Sequence, residues 1–162
     1  MNPAQAGSHP PGLSRFLATE AETLALGAEL AAALAPGLVI YLAGDLGAGK
    51  TTLARGVLRG LGHPGKVKSP TYPLVEVYKL SRLYLYHFDF YRFSDPREFD
   101  DAGFREHFNA DSVCLVEWPE KAAGNLPAAD VKIVMQVEGT GRRIEIFADT
   151  EAGRHCIERL TH

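Results

Sequence analysis

The sequence is poor in the features that mark disulfide-stabilised and zinc-binding proteins. It contains two cysteines, Cys114 inside an apolar run and Cys156 near the C-terminus. Neither has a partner at the spacing of a metal site. The sequence therefore argues against a disulfide framework or a structural zinc site, and we expect two plain thiols in a reducing compartment.

Long apolar runs and an excess of positive charge are lacking as well. The Ala/Leu-rich segment 20–35 carries three glutamates and is too short to span a bilayer. Residues 1–12 have neither a basic start nor an apolar core, so we expect a disordered leader and not a signal peptide. The net charge of −3 gives no general attraction to nucleic acid or anionic membranes. These absences predict a cytoplasmic protein.

The length and composition are those of one folded domain. The chain has 162 residues, of which 46% are hydrophobic and 23% charged, and this is enough to bury a core without disulfides. We find no internal repeat and no linker, and we assign residues 13–162 to a single domain.

The most specific motif is a phosphate-binding loop that follows the apolar run 38–43. The fixed positions of G-x-x-x-x-G-K-[ST] are filled by Gly44, Gly49, Lys50 and Thr51. Its glycines let successive N–H groups point inward, and the helix that follows directs its positive end to the same place. We expect ATP or ADP to bind to the whole loop, namely Gly44, Asp45, Leu46, Gly47, Ala48, Gly49, Lys50, Thr51 and Thr52.

Hydrophobic patterns on either side of the loop predict alternating helices and strands. A capping box at 19–22 begins an amphipathic helix that ends at Pro36, and further helices are expected at 50–61 and 151–160. Apolar runs at 38–43 and 112–117 predict strands buried on both faces. Two hairpins are expected within 74–90 and 131–148, and another helix is expected to start at 94–96 with Pro96 in its first position. The fold class is therefore α/β, a P-loop NTPase-like three-layer fold with a mixed central sheet and flanking helices.

Two carboxylates follow predicted strands and could complete the site. Glu117 ends the run VCLVE, and Asp89 ends the run YLYHFD with His87 on the same side of the strand. Both acids are candidate catalytic residues and, with the Thr51 hydroxyl, candidate Mg²⁺ ligands. Either could instead be a solvated strand-end carboxylate, and His87 could relay a proton or be an ordinary core histidine.

The segment between the loop helix and the first hairpin contains a candidate switch. Thr71, in SPTY, lies where switch-type nucleotide hydrolases place a threonine that senses the γ-phosphate and Mg²⁺. Possible charge-stabilising arginines are Arg92, Arg97 and Arg105. The pair Arg142-Arg143 is expected to be a solvated turn, too small a patch to predict direct contact with tRNA. No guanine-reading N/T-K-x-D follows Glu117, which favours ATP over GTP.

These motifs together resemble one family. GDLGAGKTTLARG, VKSPTYPLVEVY, YHFDFYR and CLVEWPEK occur in the order and spacing of the TsaE (YjeE) family, over most of residues 44–121. The resemblance implies a P-loop ATPase of bacterial tRNA threonylcarbamoyladenosine biosynthesis. It implies that Lys50 and Thr51 hold ATP and Mg²⁺, that Thr71 acts as a switch, and that Asp89 and Glu117 act as metal-binding or catalytic acids.

The same resemblance implies partners. Such a protein would bind TsaD and TsaB and meet tRNA only through them, and its ATP hydrolysis would reset that complex between turnovers. Because no arginine occupies a motif-defined finger position, we expect slow hydrolysis by the isolated protein. Two alternatives stay open, a small-molecule kinase with residues 95–108 as a lid, and a nucleotide-gated interaction module. The oligomeric state and the separate roles of the two acids also stay open.

Overall fold

We describe residues 10–67, 70 and 74–161 of a computed structural model of the chain, with the backbone alone at residue 161. The strands are β1 Leu13–Leu17, β2 Val39–Ala43, β3 Val75–Lys79, β4 Tyr84–Asp89, β5 Ser112–Glu117, β6 Val131–Glu138 and β7 Gly141–Ala148. The helices are α1 Glu20–Ala33, α2 Lys50–Gly60, α3 Glu98–Asp101 and α4 Glu151–Thr161.

Across these described residues the strands form one mixed sheet in the order β1-β7-β6-β2-β5-β4-β3. β2 runs parallel to both β5 and β6, and β4 runs parallel to β5. The outer pairs, β1 with β7, β6 with β7 and β3 with β4, are antiparallel. The mixed sheet and both hairpins are thus confirmed.

The sheet is covered on both faces, which produces the three layers. β5 is buried along its whole length, as its unbroken apolar run predicts. On one face α1, α2 and α4 contribute to the larger hydrophobic core, with Leu30, Leu53 and Leu160 among its members. On the other face a cluster of aromatic rings, including Phe88, Phe90 and Phe99, lies beneath the irregular segment 90–126.

Helices α1 and α2 pack closely because glycines meet at their crossing. The predicted capping box at Thr19 and Glu22 begins α1. A Cβ built on Gly27 would lie 2.7 Å from the Leu53 carbonyl oxygen, and one on Gly56 would lie 2.5 Å from the Leu24 carbonyl oxygen. The backbones therefore approach to a distance that only glycine allows, and this fixes the position of α2 against the sheet.

Two local predictions differ from the structure. α3 begins at Glu98 and not at Pro96, because the Glu98 carboxylate accepts bonds from the Ser94 and Asp95 N–H groups and closes residues 94–97 into a turn. Strand β1 was not predicted. Its alternating exposure suits an edge strand paired on one side, with β7.

The helices give no sign of a membrane span. Within residues 10–67, 70 and 74–161, none is long and apolar enough to cross a bilayer.

Candidate functional site

The loop between β2 and α2 is folded as a phosphate-binding loop. Gly44 and Gly49 have φ angles of 150° and 101°, a region that side chains rarely adopt. A Cβ on Gly44 would also lie 2.5 Å from the Met135 carbonyl oxygen. Gly49 is the N-cap of α2, and having no side chain it cannot cap the first N–H groups of the helix. An anion at this helix start would therefore accept hydrogen bonds from backbone N–H groups.

Lys50 is drawn back into this loop. Its side chain is buried, and its Nζ donates to the Gly44 carbonyl oxygen at 2.6 Å. Nζ also lies 4.2 Å from the centroid of the Trp118 ring and 3.9 Å from Glu117 Oε1. Burial lowers the pKa of Lys50, while the carboxylate of Glu117 opposes that shift. The ammonium group is thus held beside the space that a phosphate chain would occupy.

The two predicted acids meet at the ends of neighbouring strands. Asp89 and Glu117 are register partners in the parallel pair β4–β5. Asp89 Oδ1 accepts a bond from the Tyr91 N–H at 3.0 Å. Burial raises the pKa of Asp89, and the nearby charge of Glu117 adds to the shift. Both carboxylates therefore lie at the same edge of the sheet and line one cavity.

His87 connects this region to the core. It is fully buried, and its Nε2 lies 2.6 Å from Glu117 Oε2, so the ring donates to the carboxylate. Among the described residues its Nδ1 has no hydrogen-bond partner. The Glu117 side chain is therefore held from two sides, by His87 on one oxygen and by Lys50 near the other.

A cavity of about 520 Å³ lies above these groups. Of the predicted site residues it is lined by Leu46, Gly47, Gly49, Lys50, Thr51, Thr52, Asp89 and Glu117. The remaining loop residues Gly44, Asp45 and Ala48 line another hollow beside residues 134–137. The predicted switch Thr71 lies outside the described residues, so its role stays a prediction.

The predicted arginines separate into two groups. Arg92 lines the large cavity. Arg97 and Arg105 form exposed ion pairs with Asp95 and Asp100, and neither lines that cavity. Residues 95–108 therefore do not form a lid on the cavity, which weakens the kinase alternative.

The cavity wall includes a charged residue, Arg142, that the sequence does not mark as part of the site. Arg142, the second residue of β7, donates from Nη2 to the Gly47 carbonyl oxygen at 3.0 Å. The expectation of a solvated turn is wrong, because both arginines lie in β7 and are half-buried, and Arg142 lies against the phosphate loop. Arg143 points elsewhere and pairs with Glu138 at 3.0 Å. Nothing in the local sequence separates the two arginines, because the partner loop lies 95 residues away.

The oxygen-bearing side chains at the cavity suit a Mg²⁺ ion that is bound jointly by the protein, phosphates and water. Among the described residues no cluster of three or more His, Cys, Asp or Glu side chains could hold a metal ion. Mg²⁺ in nucleotide sites is usually bound by one or two carboxylates together with phosphates and water. Thr51, Asp89 and Glu117 supply such a set around the same cavity.

The site has the features of a P-loop nucleotide-binding protein. These features are the parallel strands, the glycine loop at the start of a helix, the buried lysine and the acids at the strand ends. A family model described as threonylcarbamoyl adenosine biosynthesis protein TsaE matches residues 17–144. The chain belongs to the TsaE family, which confirms the resemblance seen in its motifs.

Individual relatives agree with this assignment. The tRNA threonylcarbamoyladenosine biosynthesis protein TsaE of Haemophilus influenzae is 50% identical over 125 residues, which cover 77% of this chain and 79% of that protein. The protein of the same name from Bacillus subtilis is 43% identical over 144 residues, covering 87% and 89%. The crystal structure of Bacillus subtilis YdiB has a TM-score of 0.79 at 33% identity and covers 92% of this chain and 93% of that one. The P-loop NTPase-like fold is confirmed by this similarity.

Proposed function

We propose that this protein is a Mg²⁺-dependent ATPase that supports threonylcarbamoyladenosine modification of tRNA, with residues 13–162 as its single domain. The observation that carries the proposal is the meeting of the phosphate loop with two acids. Lys50 Nζ lies 3.9 Å from Glu117 Oε1, and Asp89 is the register partner of Glu117. A binding module would need the loop, but hydrolysis also needs a carboxylate to orient water or hold the metal.

The residues of the chain have separable tasks in this reaction. The loop N–H groups and the Lys50 ammonium bind the phosphates and stabilise the charge that develops as the γ-phosphate is transferred to water. One of Asp89 and Glu117 would orient the attacking water, and the other would hold Mg²⁺ together with Thr51. Bound there, Mg²⁺ would offset the negative charge of the phosphates. His87 keeps the Glu117 carboxylate from turning away.

We further propose that the protein acts together with TsaD and TsaB and resets their complex between turnovers. The relatives carry names from threonylcarbamoyladenosine biosynthesis. Two exposed apolar side chains stand at the mouth of the cavity, Leu46 at 67% and Tyr91 at 47% exposure. Such side chains at an open reaction site support closure by a partner. Contact with tRNA would then be indirect, through the partners.

Phosphate release from ATP tests the proposal. We expect slow release by the isolated protein and a large increase when purified TsaD and TsaB are added, because a completed site can gain on the order of 10³–10⁵ in rate. Rapid release that the partners leave unchanged would contradict the partner role. Transfer of phosphate to a metabolite, in place of free phosphate, would indicate a kinase.

Variants of the loop and the acids provide the controls. Lys50→Ala removes the phosphate-binding charge, and hydrolysis that survived it would reject the site. Asp89→Asn and Glu117→Gln are compared at several Mg²⁺ concentrations. The variant of the metal ligand is expected to recover partly at high Mg²⁺, and the variant of the water-orienting residue is not. If a non-hydrolysable ATP analogue sustains repeated rounds of tRNA modification, the protein is a nucleotide-gated module.

A further inference from the structure

Arg142 connects the β6–β7 hairpin to the phosphate loop. Its Nη2 donates to the Gly47 carbonyl oxygen at 3.0 Å, and its Nη1 donates to the Gly141 carbonyl oxygen at 2.9 Å. A Cβ built on Gly49 would lie 3.8 Å from Arg142 Nε. The guanidinium group therefore lies along the loop at the point where α2 begins.

Among the described residues no carboxylate forms an ion pair with the Arg142 side chain, so its positive charge has no acidic partner in that part of the chain. The nearest acid of the adjoining smaller cavity, Glu20, pairs with Arg55 instead. Arg142 Nε is buried and, among the described residues, has no hydrogen-bond partner. A half-buried guanidinium with an open donor and no counter-charge is costly unless an anion completes it.

The location of Arg142 identifies the kind of anion. Arg142 lines both the large cavity above Lys50 and a smaller cavity of about 260 Å³ beside residues 17–20. The two cavities share Gly49, Thr52 and Arg142. A nucleotide whose phosphates lie over the loop and whose nucleoside extends into the smaller cavity would pass this guanidinium.

We propose that Arg142 is a phosphate-binding residue of the nucleotide site. It reaches the loop from the β6–β7 hairpin, which lies on the opposite side of β2 from the strands that carry Asp89 and Glu117. The inference rests on the proposed binding of ATP and ADP. Nη1 and Nη2 each carry two N–H groups, so the guanidinium can keep its bonds to Gly141 and Gly47 and still donate a second N–H to a phosphate oxygen. Lys50 and Arg142 then hold the phosphate chain between them.

Equilibrium binding of ADP to three variants tests this role. Arg142→Gln removes the charge, Arg142→Lys keeps it, and Arg143→Gln is the matched control with the same charge change one residue away. We expect Arg142→Gln to weaken ADP binding about 10- to 100-fold, the range for a hydrogen bond to a charged group. Arg142→Lys should recover only part of the lost affinity, because it keeps the charge without the planar fork, and Arg143→Gln should bind ADP as the wild type does.

Inorganic tripolyphosphate, used as a competitor, separates phosphate binding from recognition of the nucleoside. Its affinity should fall in Arg142→Gln by a factor similar to that for ADP. The proposal is overturned if tripolyphosphate binds that variant as well as it binds the wild type. It is also overturned if Arg143→Gln weakens tripolyphosphate binding as much as Arg142→Gln does, because the loss would then follow net charge and not the position of Arg142.

A measurement on the wild-type protein covers the case in which Arg142→Gln does not fold. The ¹⁵N Nε–Hε signal of Arg142, identified by its absence from Arg142→Lys, should shift on addition of ADP or tripolyphosphate and stay in place with adenosine. An unmoved signal overturns the proposal. If the wild type binds no ADP, the proposed function fails with it. If the wild type binds ADP and Arg142→Gln binds it equally, only the role of Arg142 fails.

Discussion

The Glu117 carboxylate is at a position with 2% exposure, and among the described residues His87 and Lys50 are placed to stabilise it. Burying such a group is costly unless its oxygens are bonded. The His87 contact therefore orients Glu117 as well as stabilising it. This makes His87 a positioning residue, which acts on the substrate only through the carboxylate.

Replacement of His87 tests that role. His87→Leu removes the donor and is expected to lower partner-stimulated phosphate release about 10- to 100-fold, as is typical when the support of a reacting ligand is lost. His87→Gln can place an amide N–H near the position of Nε2 and should retain most of the rate. ADP affinity should be unchanged in both, since neither touches the loop. Equal losses in the two variants would indicate that His87 only fills space.

The ionised Asp89 carboxylate is expected to lower the free energy of unfolding, as buried functional groups often do. Burial raises its pKa above the ordinary value of 3.8, so the folded state binds a proton more readily than the unfolded state. The loss of stability caused by the buried, ionised carboxylate appears as the pH rises through the unfolded and folded pKa values of Asp89, and it stays constant above them. Asp89→Asn should therefore raise the Tm at pH 7 while hydrolysis is lost, and the gain should vanish at low pH.

Asp95→Asn is the control, because the pKa of Asp95 is shifted in the opposite direction to that of Asp89. The side chain of Arg97 lowers the pKa of Asp95 to about 2. This replacement should give no gain in Tm at pH 7. A gain equal to that of Asp89→Asn would mean that burial of Asp89 is not the cause.

Among single residues, the sequence predicts those whose roles can be recognised from the neighbouring residues in the chain. The loop spacing identifies Lys50, and the ends of apolar strands identify Asp89 and Glu117, because parallel strands end at the same edge of a sheet. It does not predict Arg142, whose partner lies 95 residues away. It also leaves His87 undecided, since only the register of β4 and β5 brings it to Glu117.

Among the elements, α1 packs against α2, the helix that begins at the phosphate loop. The helix that follows the loop is held by glycine at its crossing with α1. Helix propensity alone predicts that Gly56→Ala stabilises the protein by about 1 kcal/mol. The distance of 2.5 Å from the new Cβ to the Leu24 carbonyl oxygen predicts the opposite.

We expect Gly56→Ala to destabilise the protein by about 1–3 kcal/mol, the usual cost of overpacking. Urea unfolding measures it. Ala25→Gly, at an exposed position of α1, is the reference for propensity and should cost about 1 kcal/mol. An increase in stability for Gly56→Ala would show that the helices can separate without cost.

Strands with strongly apolar sequences were predicted well, and elements without such a pattern less well. β5 and β6 have the bounds that their apolar runs indicate. The five residues of β1 offer too little alternation to be distinguished from a loop, and their pairing with β7 depends on contacts far along the chain. α3 is four residues long and begins where a side chain closes a turn, which no periodic pattern marks.

In the whole molecule the strand order brings the parts of the site together. β2, which carries the loop, lies between β5 with Glu117 and β6, whose hairpin partner carries Arg142. The sequence predicted a mixed sheet but not this order, because pairing between distant strands leaves no local pattern. The nucleotide would therefore contact segments from both halves of the sheet.

Binding across these segments should stabilise the fold as a unit. ADP at about 100 times its Kd is expected to add about 2.7 kcal/mol, which raises the Tm by roughly 5–10 °C in a domain of this size. Thermal unfolding monitored by circular dichroism measures the shift. Lys50→Ala should show almost none, and a shift of full size in that variant would contradict nucleotide binding at the loop.

Trp118 gives the protein an optical signal of its own. It is the single tryptophan of the chain, and its ring lies 4.2 Å from Lys50 Nζ. A phosphate that draws the ammonium group away changes the charge next to the indole, and so changes its emission. Occupancy of the site can then be followed by intrinsic fluorescence, on unlabelled protein and during turnover.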